Sequence, residues 1–258
     1  MQIDQDRFLA IIQADHSYYG TREIPIRRDV RWIPMWENLI APQLAPTMRV
    51  LDVGCGAGGF LLELYESFQT GLGIDNDPAH IQIAQEEKRQ QGVENVDFLL
   101  MEFPQESVRL QAESFDLVIS LRGPVPDTPE NLQSALRLLR PNGLIFCEEI
   151  GEQHDREVRE IFVDKWQKEA GLPPVQKISQ AMERNGVSVR LAADVFTKWL
   201  FPDVYAWLEY QCNLWSWLGV SLPGPDDPRI VRFAEKNTIE TGEIETTHHV
   251  TWVAGVKR

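Results

Sequence analysis

Four glycines, Gly54, Gly56, Gly58 and Gly59, crowd into six positions between an apolar run and a stretch with helical periodicity. Glycine lets the backbone turn sharply and approach a ligand closely, and the first turn of a following helix offers it unpaired N–H groups. The spacing satisfies G-x-G-x-x-G through Gly54, Gly56 and Gly59, the pattern that cradles a dinucleotide pyrophosphate. It satisfies G-x-G-x-G through Gly54, Gly56 and Gly58 equally well. Two carboxylates flank the loop. Asp52 stands two residues before the first glycine, at the end of the apolar run 49–53, where an unpaired charge is costly. It would repel a pyrophosphate and suit a ligand that carries an ammonium group. Asp75 ends the next apolar run, 21 residues after Gly54, where a carboxylate can accept hydrogen bonds from ribose hydroxyls. NAD would be served as well, so Asp75 marks a ribose and no more. Asn76 and Asp77 are placed to cap the helix that follows, which leaves Asp75 for a ligand.

The elements that must hold these residues follow from periodicity. From Met48 onward short apolar runs alternate with amphipathic stretches, which predicts strand, helix, strand and a mainly parallel sheet covered on both faces. Strands are expected at 49–53, 70–75, 96–101, 115–120 and 144–148, and helices at 60–68, 79–91, 129–139, 156–170 and 175–185. Arg140-Pro-Asn-Gly143 reads as a tight turn. Residues 187–196 and 248–256 alternate like strands, and Val204, Trp207, Leu208, Gln211, Leu214 and Trp215 recur at helical spacing. Before Met48 come a helix, 5–14, and a loop rich in Tyr, Arg and Pro. The expected organisation is an extension or lid at 1–47 and a main α/β domain at 48–258, with a helical insertion at 197–243.

Composition narrows the function. Lys and Arg total 25 against 39 Asp and Glu, a formal charge of −14, so the surface as a whole repels nucleic acid. Arg22, Arg27, Arg28 and Arg31 form one local exception, which keeps an RNA acceptor as an alternative. Cys55, Cys147 and Cys212 show no C-x-x-C spacing, so neither a disulfide framework nor a metal site is expected. No run reaches the ~20 apolar residues that span a bilayer. The opening residues are unlike a secretory signal, which makes a cytoplasmic address the default.

Val50-Leu-Asp-Val-Gly-Cys-Gly-Ala-Gly-Gly59, Gly73-Ile-Asp75, Phe115-Asp-Leu-Val-Ile-Ser120 and Leu139-Arg-Pro-Asn-Gly-Leu144, in that order, resemble the class I S-adenosylmethionine-dependent methyltransferases. The resemblance implies a Rossmann-like, doubly wound seven-stranded sheet whose last strand runs antiparallel, with 187–196 and 248–256 as strands six and seven. It implies S-adenosyl-L-methionine as cofactor. The methionine portion falls to the loop of Asp52, Gly54, Cys55, Gly56 and Gly58, the ribose to Asp75 with Asn76, and the adenine to the end of strand three. There the family's acidic residue, commonly Asp, is replaced by Met101-Glu102, so Glu102 is expected to bond the adenine amino group and Met101 to pack on the purine. Ser120, ending strand four, completes the expected cofactor set.

In such a reaction an acceptor atom attacks the sulfonium methyl in line, and the protein aligns the two and excludes water. Arg122, after strand four, could clamp an acceptor carboxylate or phosphate, or pair with Glu148 or Glu149. His16, in the extension, is the expected base; His80, His154, His248 and His249 read as structural or open. Aromatic residues at 196–217 read as core, dimer contact or the wall of an acceptor pocket. The expectation is a methyltransferase acting on a small molecule. A nicotinamide-dependent oxidoreductase and a catalytically silent cofactor-binding regulator are the alternatives outside that class.

Overall fold

The computed structural model describes residues 4–14, 27–28, 38–162, 172–217, 221, 223–224 and 226–258. Contacts separate them into two units. The sheet unit draws on 33–152, 170–195 and 250–258, and the aromatic unit on 1–32, 153–169 and 196–249. The named strands are β1 (Arg49–Val53), β2 (Thr70–Asp75), β3 (Val96–Leu100), β4 (Phe115–Leu121), β5 (Leu139–Ile150), β6 (Val187–Phe201) and β7 (Ile244–Lys257). Beside them lies a two-residue strand, Arg27–Arg28. The helices are α1 (Gln5–Ile12), α2 (Gly59–Glu63), α3 (Pro78–Gln91), α4 (Pro129–Leu138), α5 (Arg156–Phe162), α6 (Pro174–Arg184), α7 (Val204–Trp217) and α8 (Pro228–Asn237).

In the sheet unit the strand order is β3-β2-β1-β4-β5-β7-β6. Neighbours from β3 through β5 are parallel, and Val250–Val256 of β7 runs antiparallel to Leu144–Ile150 of β5. This is the doubly wound methyltransferase-type sheet with a reversed last strand. Consecutive residues of β1 serve opposite faces, as strand alternation requires. Val50 joins Phe60, Leu61, Ile81 and Ala84 of α2 and α3, while Leu51 joins Leu132, Ala135, Ile178 and Met182 of α4 and α6. Covered on both faces, β1 and β4 are buried over most of their length, whereas β3 at the end of the parallel run leaves Asp97, Leu99 and Leu100 exposed.

Local chemistry sets the boundaries. Asp77 caps α3 by accepting from Ala79 N at 2.8 Å, Pro78 occupies its first turn, and Gly92 closes it in the left-handed region. The helix expected at 60–68 stops at Glu63 and gives way to a 3-10 turn at Tyr65–Ser67. The tight turn expected at 140–143 lies inside β5, which starts at Leu139: Asn142 takes φ 63, and the β4/β5 register breaks between Phe115 and Leu117. A left-handed Asn thus absorbs the extra residues as a bulge rather than ending the strand. The helix expected at 156–170 is described only as Arg156–Phe162.

β6 and β7 are 15 and 14 residues long, longer than the alternating runs that announced them, and each contributes to both units. Within the aromatic unit, Trp199 and Leu200 pair antiparallel with Arg28 and Arg27. Phe8, Val158, Trp199, Phe201, Trp207, Trp215, Ile230 and Phe233 form its core, with Trp207 stacked on Phe233 at a centroid distance of 4.0 Å. α8 has no counterpart in the sequence reading, although Asp227-Pro228 starts it with a capping carboxylate and a first-turn proline.

Candidate functional site

The glycine loop leaves the carboxyl end of β1 and turns into α2. Gly54, Gly56 and Gly58 take φ of 79°, 53° and 80°, the left-handed region that ordinary side chains resist. At Gly58 space is also decisive, because an added Cβ would lie 2.5 Å from Cζ of Phe98. Gly54 N and Cys55 N both donate to the Ile74 carbonyl of β2, at 2.9 and 3.1 Å. The Cys55 thiol is buried and donates weakly to the Gly56 carbonyl at 3.6 Å, and burial pushes its ionisation far up. It is a small filler of the loop.

Asp52 and Asp75 are held in opposite states. Asp52 is 3% exposed, and its Oδ1 has no hydrogen-bond partner among the described residues. Burial first, and the nearby Asp75 second, push its carboxyl up to about 8. Asp75 accepts from Gly56 N at 2.8 Å and from Asp77 N at 2.9 Å, and His80 Nδ1 stands 3.9 Å away. Partial burial raises its carboxyl, but the His80 contact and the two backbone donors outweigh that and hold it below the ordinary range. At neutral pH Asp52 is mostly protonated and Asp75 ionised.

The remaining expected residues separate. Asn76 and Glu102 do meet, Asn76 Nδ2 donating to Glu102 Oε2 at 3.4 Å, and Glu102 is exposed at the end of β3. Met101 is 5% exposed and packs among Leu51, Val53, Ile74 and Phe103. Ser120 is enclosed as well. Fully buried, its hydroxyl donates to Val53 O at 3.1 Å and accepts from Val125 N at 3.3 Å, so it ties the β4 exit to β1. Arg122, at φ 58, donates its N–H to Glu148 O at 2.8 Å and places Nε 3.4 Å from Glu148 Oε1. Of the two roles open to it, the pairing with Glu148 is the one observed.

Sequence reasoning missed Gly123. Its Cα packs where a Cβ on Gly54 would come within 2.9 Å, and its own Cβ would sit 2.3 Å from Val53 O. The β4 exit and the glycine loop therefore meet backbone to backbone, and Asn131 Nδ2 fixes the same exit by donating to Pro124 O at 2.7 Å. Gly123-Pro124 after an apolar strand was the available signal. His16 and the basic stretch at Arg22–Arg31, apart from the backbone of Arg27–Arg28, lie outside the described residues. His154, His248 and His249 are buried in the aromatic unit.

Residues 44–210 match the family model described as a methyltransferase domain. The chain belongs to this methyltransferase family. Membership decides between the two owners of the glycine loop in favour of S-adenosylmethionine over a nicotinamide dinucleotide. Among curated relatives, the ubiquinone biosynthesis O-methyltransferase of Histophilus somni (strain 2336) is 33% identical over 102 residues, 38% of this chain and 43% of that protein. The match thus spans less than half of that relative's length. The 2-methyl-6-phytyl-1,4-hydroquinone methyltransferase of Synechocystis sp. is 26% identical over 247 residues, covering 86% of this chain and 72% of that protein. Among solved structures, the YcgJ protein from Bacillus subtilis superposes with a TM-score of 0.59 at 18% identity, over 86% of this chain and 97% of that one, which speaks for the fold.

Proposed function

We propose that this protein is an enzyme that moves the methyl group of S-adenosylmethionine to a hydroxyl-bearing, ring-containing small molecule. The cofactor reading is carried by Asp52: a buried carboxyl with an unpartnered oxygen, placed at the root of a left-handed glycine loop, suits an ammonium group, whose positive charge would favour its ionised form. Gly54, Gly56 and Gly58 let the backbone approach the methionine portion. Asp75, ionised and at the end of β2, suits the ribose hydroxyls; Asn76 lies beside it, and Glu102 suits the adenine amino group. When bound, the cofactor supplies an electrophilic methyl on sulfur, and the protein's work is alignment and exclusion of water.

For the acceptor, the support is the pair of relatives, both named for steps on quinone-type rings, and the one with the broader coverage reaches 86% of this chain. A small acceptor also agrees with a surface of formal charge −14. Calorimetric titration with S-adenosylhomocysteine and with NAD tests the cofactor, with binding of the first alone expected. Incubation with methyl-labelled cofactor and a panel of hydroquinones, catechols and aliphatic alcohols tests the acceptor, with label expected in the ring compounds. NAD binding, or label only in RNA or protein, would overturn the reading.

A further inference from the structure

Among the described residues of the sheet unit, two carboxyls titrate near neutrality. One is Asp52, already claimed by the loop. The other is Glu149, near the carboxyl end of β5, the edge where ligands of open α/β sheets gather. In the sheet register Asp52 lies opposite Ile119, and Ile119 opposite Phe146. Glu149 is therefore two strands across from Asp52 and three residues further along, roughly 10 Å in each direction. The pairing of β4 with β5 ends at Leu121 and Glu148, so Glu149 projects past the last residue of β4 while it stays paired with Thr251 of β7 on its other side. By strand alternation Glu148 shares the face of Phe146 and Asp52 and is matched by Arg122 at 3.4 Å, and Glu149 lies on the other face with Cys147. The Glu149 carboxyl receives no hydrogen bond from the described residues.

The histidines of the described residues do not compete for this place. His80 Nδ1 faces Asp75 and Asp77 at 3.9 and 3.7 Å. In the aromatic unit, His154 accepts from His249 N at 3.4 Å and turns its other ring nitrogen to Asp155 at 3.6 Å. His249 Nδ1 accepts from Gln153 N at 3.0 Å, and His248 Nδ1 meets Thr197 Oγ1 at 3.1 Å.

Resting on the hydroxyl-acceptor reading, we propose that Glu149 is the catalytic base, taking the acceptor's proton as the acceptor oxygen attacks the methyl carbon. The oxygen–carbon bond forms as the sulfur–carbon bond breaks, the electron pair of the broken bond stays on sulfur, and the proton passes from the hydroxyl to the Glu149 carboxylate and on to solvent. The surroundings suit the task. Burial, Asp127 on the β4 exit and Glu148 push the Glu149 carboxyl up to about 7, against Lys177 of α6 and Arg122, which pull it down. A base that titrates near the working pH both accepts and releases a proton readily.

The test is the pH profile of kcat for the full chain, with methyl-labelled cofactor and a hydroquinone acceptor. Wild type is expected to gain activity as pH rises through about 7. Glu149→Gln is expected to lower kcat by about 100-fold or more and to erase that limb, with unchanged KM and unchanged affinity for S-adenosylhomocysteine, which also certifies its folding. Glu149→Asp should restore part of the rate, and a nitrophenol acceptor, ionised without help, should largely bypass the defect. A Glu149→Gln enzyme with wild-type kcat and the same limb overturns the base while the acceptor reading stands. A wild-type protein that binds S-adenosylhomocysteine but methylates no hydroxyl overturns both.

Discussion

Asp75 Oδ2 accepts the Gly56 amide at 2.8 Å, so the carboxylate proposed for the ribose also fastens the middle of the glycine loop. Its other oxygen holds Asp77 N, the start of the segment that leads into α3. Replacing Asp75 by Ala removes a ligand contact and two loop anchors together. Affinity for S-adenosylhomocysteine should fall by about 1–3 kcal/mol, roughly 5- to 150-fold, read by calorimetry. Unchanged affinity would take Asp75 out of the ribose site.

Asp52 makes the protein without ligand sensitive to pH. Its carboxyl titrates at about 8 when folded and at the ordinary value near 4 when unfolded. Between those values the folded chain keeps a proton that the unfolded chain has lost, so stability falls as pH rises across that window. Asp52→Asn should flatten the fall in Tm between pH 5 and 8, and a Tm curve parallel to wild type would contradict the assignment.

Binding of an ammonium group should ionise Asp52, so wild type should release a proton to the buffer at pH 7. The observed binding heat would then vary with the ionisation enthalpy of the buffer. Identical heats in phosphate and Tris would argue against a protonated Asp52.

Gly123 has no room for a side chain, its Cβ position lying 2.3 Å from Val53 O and 2.7 Å from Ser120 Oγ. Gly123→Ala should destabilise the protein by about 1–3 kcal/mol, because backbone must move to admit the methyl group. It should weaken S-adenosylhomocysteine as well, since the β4 exit abuts Gly54. A normal Tm together with normal affinity would show that the close approach is dispensable.

In the aromatic unit, Trp207 is fully buried, stacked on Phe233 and set edge-on to Trp215 at 6.2 Å. Trp207→Ala should cost about 3–5 kcal/mol, read as a lower urea midpoint by near-ultraviolet circular dichroism. Trp207→Phe should cost clearly less, because the stacking partner is retained. Equal midpoints for Trp207→Ala and wild type would deny this core its stabilising role.

Much of the sheet was legible because its signals are local. The runs at 49–53, 70–75 and 115–120 each carry a short apolar centre, Val50-Leu51, Leu72 to Ile74 and Leu117 to Ile119, as strands buried on both faces require. Asp77-Pro78 and Gly92 punctuate α3 in sequence as they do in space. Asp116, at the start of β4, accepts from Arg49 N and Arg140 Nη1. Elsewhere the local signal said less. The strand ends at Met101 and Ser120 gave no sign of their burial, at 5% and 0% exposure, which comes from packing between elements. Arg140-Pro-Asn-Gly143 carries turn residues, and cross-strand pairing absorbed them into a bulge.

By itself the sequence determined the parallel sheet, the glycine turn and the carboxylates Asp52 and Asp75, because strand periodicity and glycine's backbone freedom act over a few residues. Only the tertiary structure decided which carboxyl is protonated, that Gly123 abuts the loop from β4, and that Glu149 lacks the partner Glu148 has. Ionisation and close packing depend on groups far apart in the chain: the burial that lifts Asp52, and the Arg122 that answers Glu148, exist only after β1, β4 and β5 have come together.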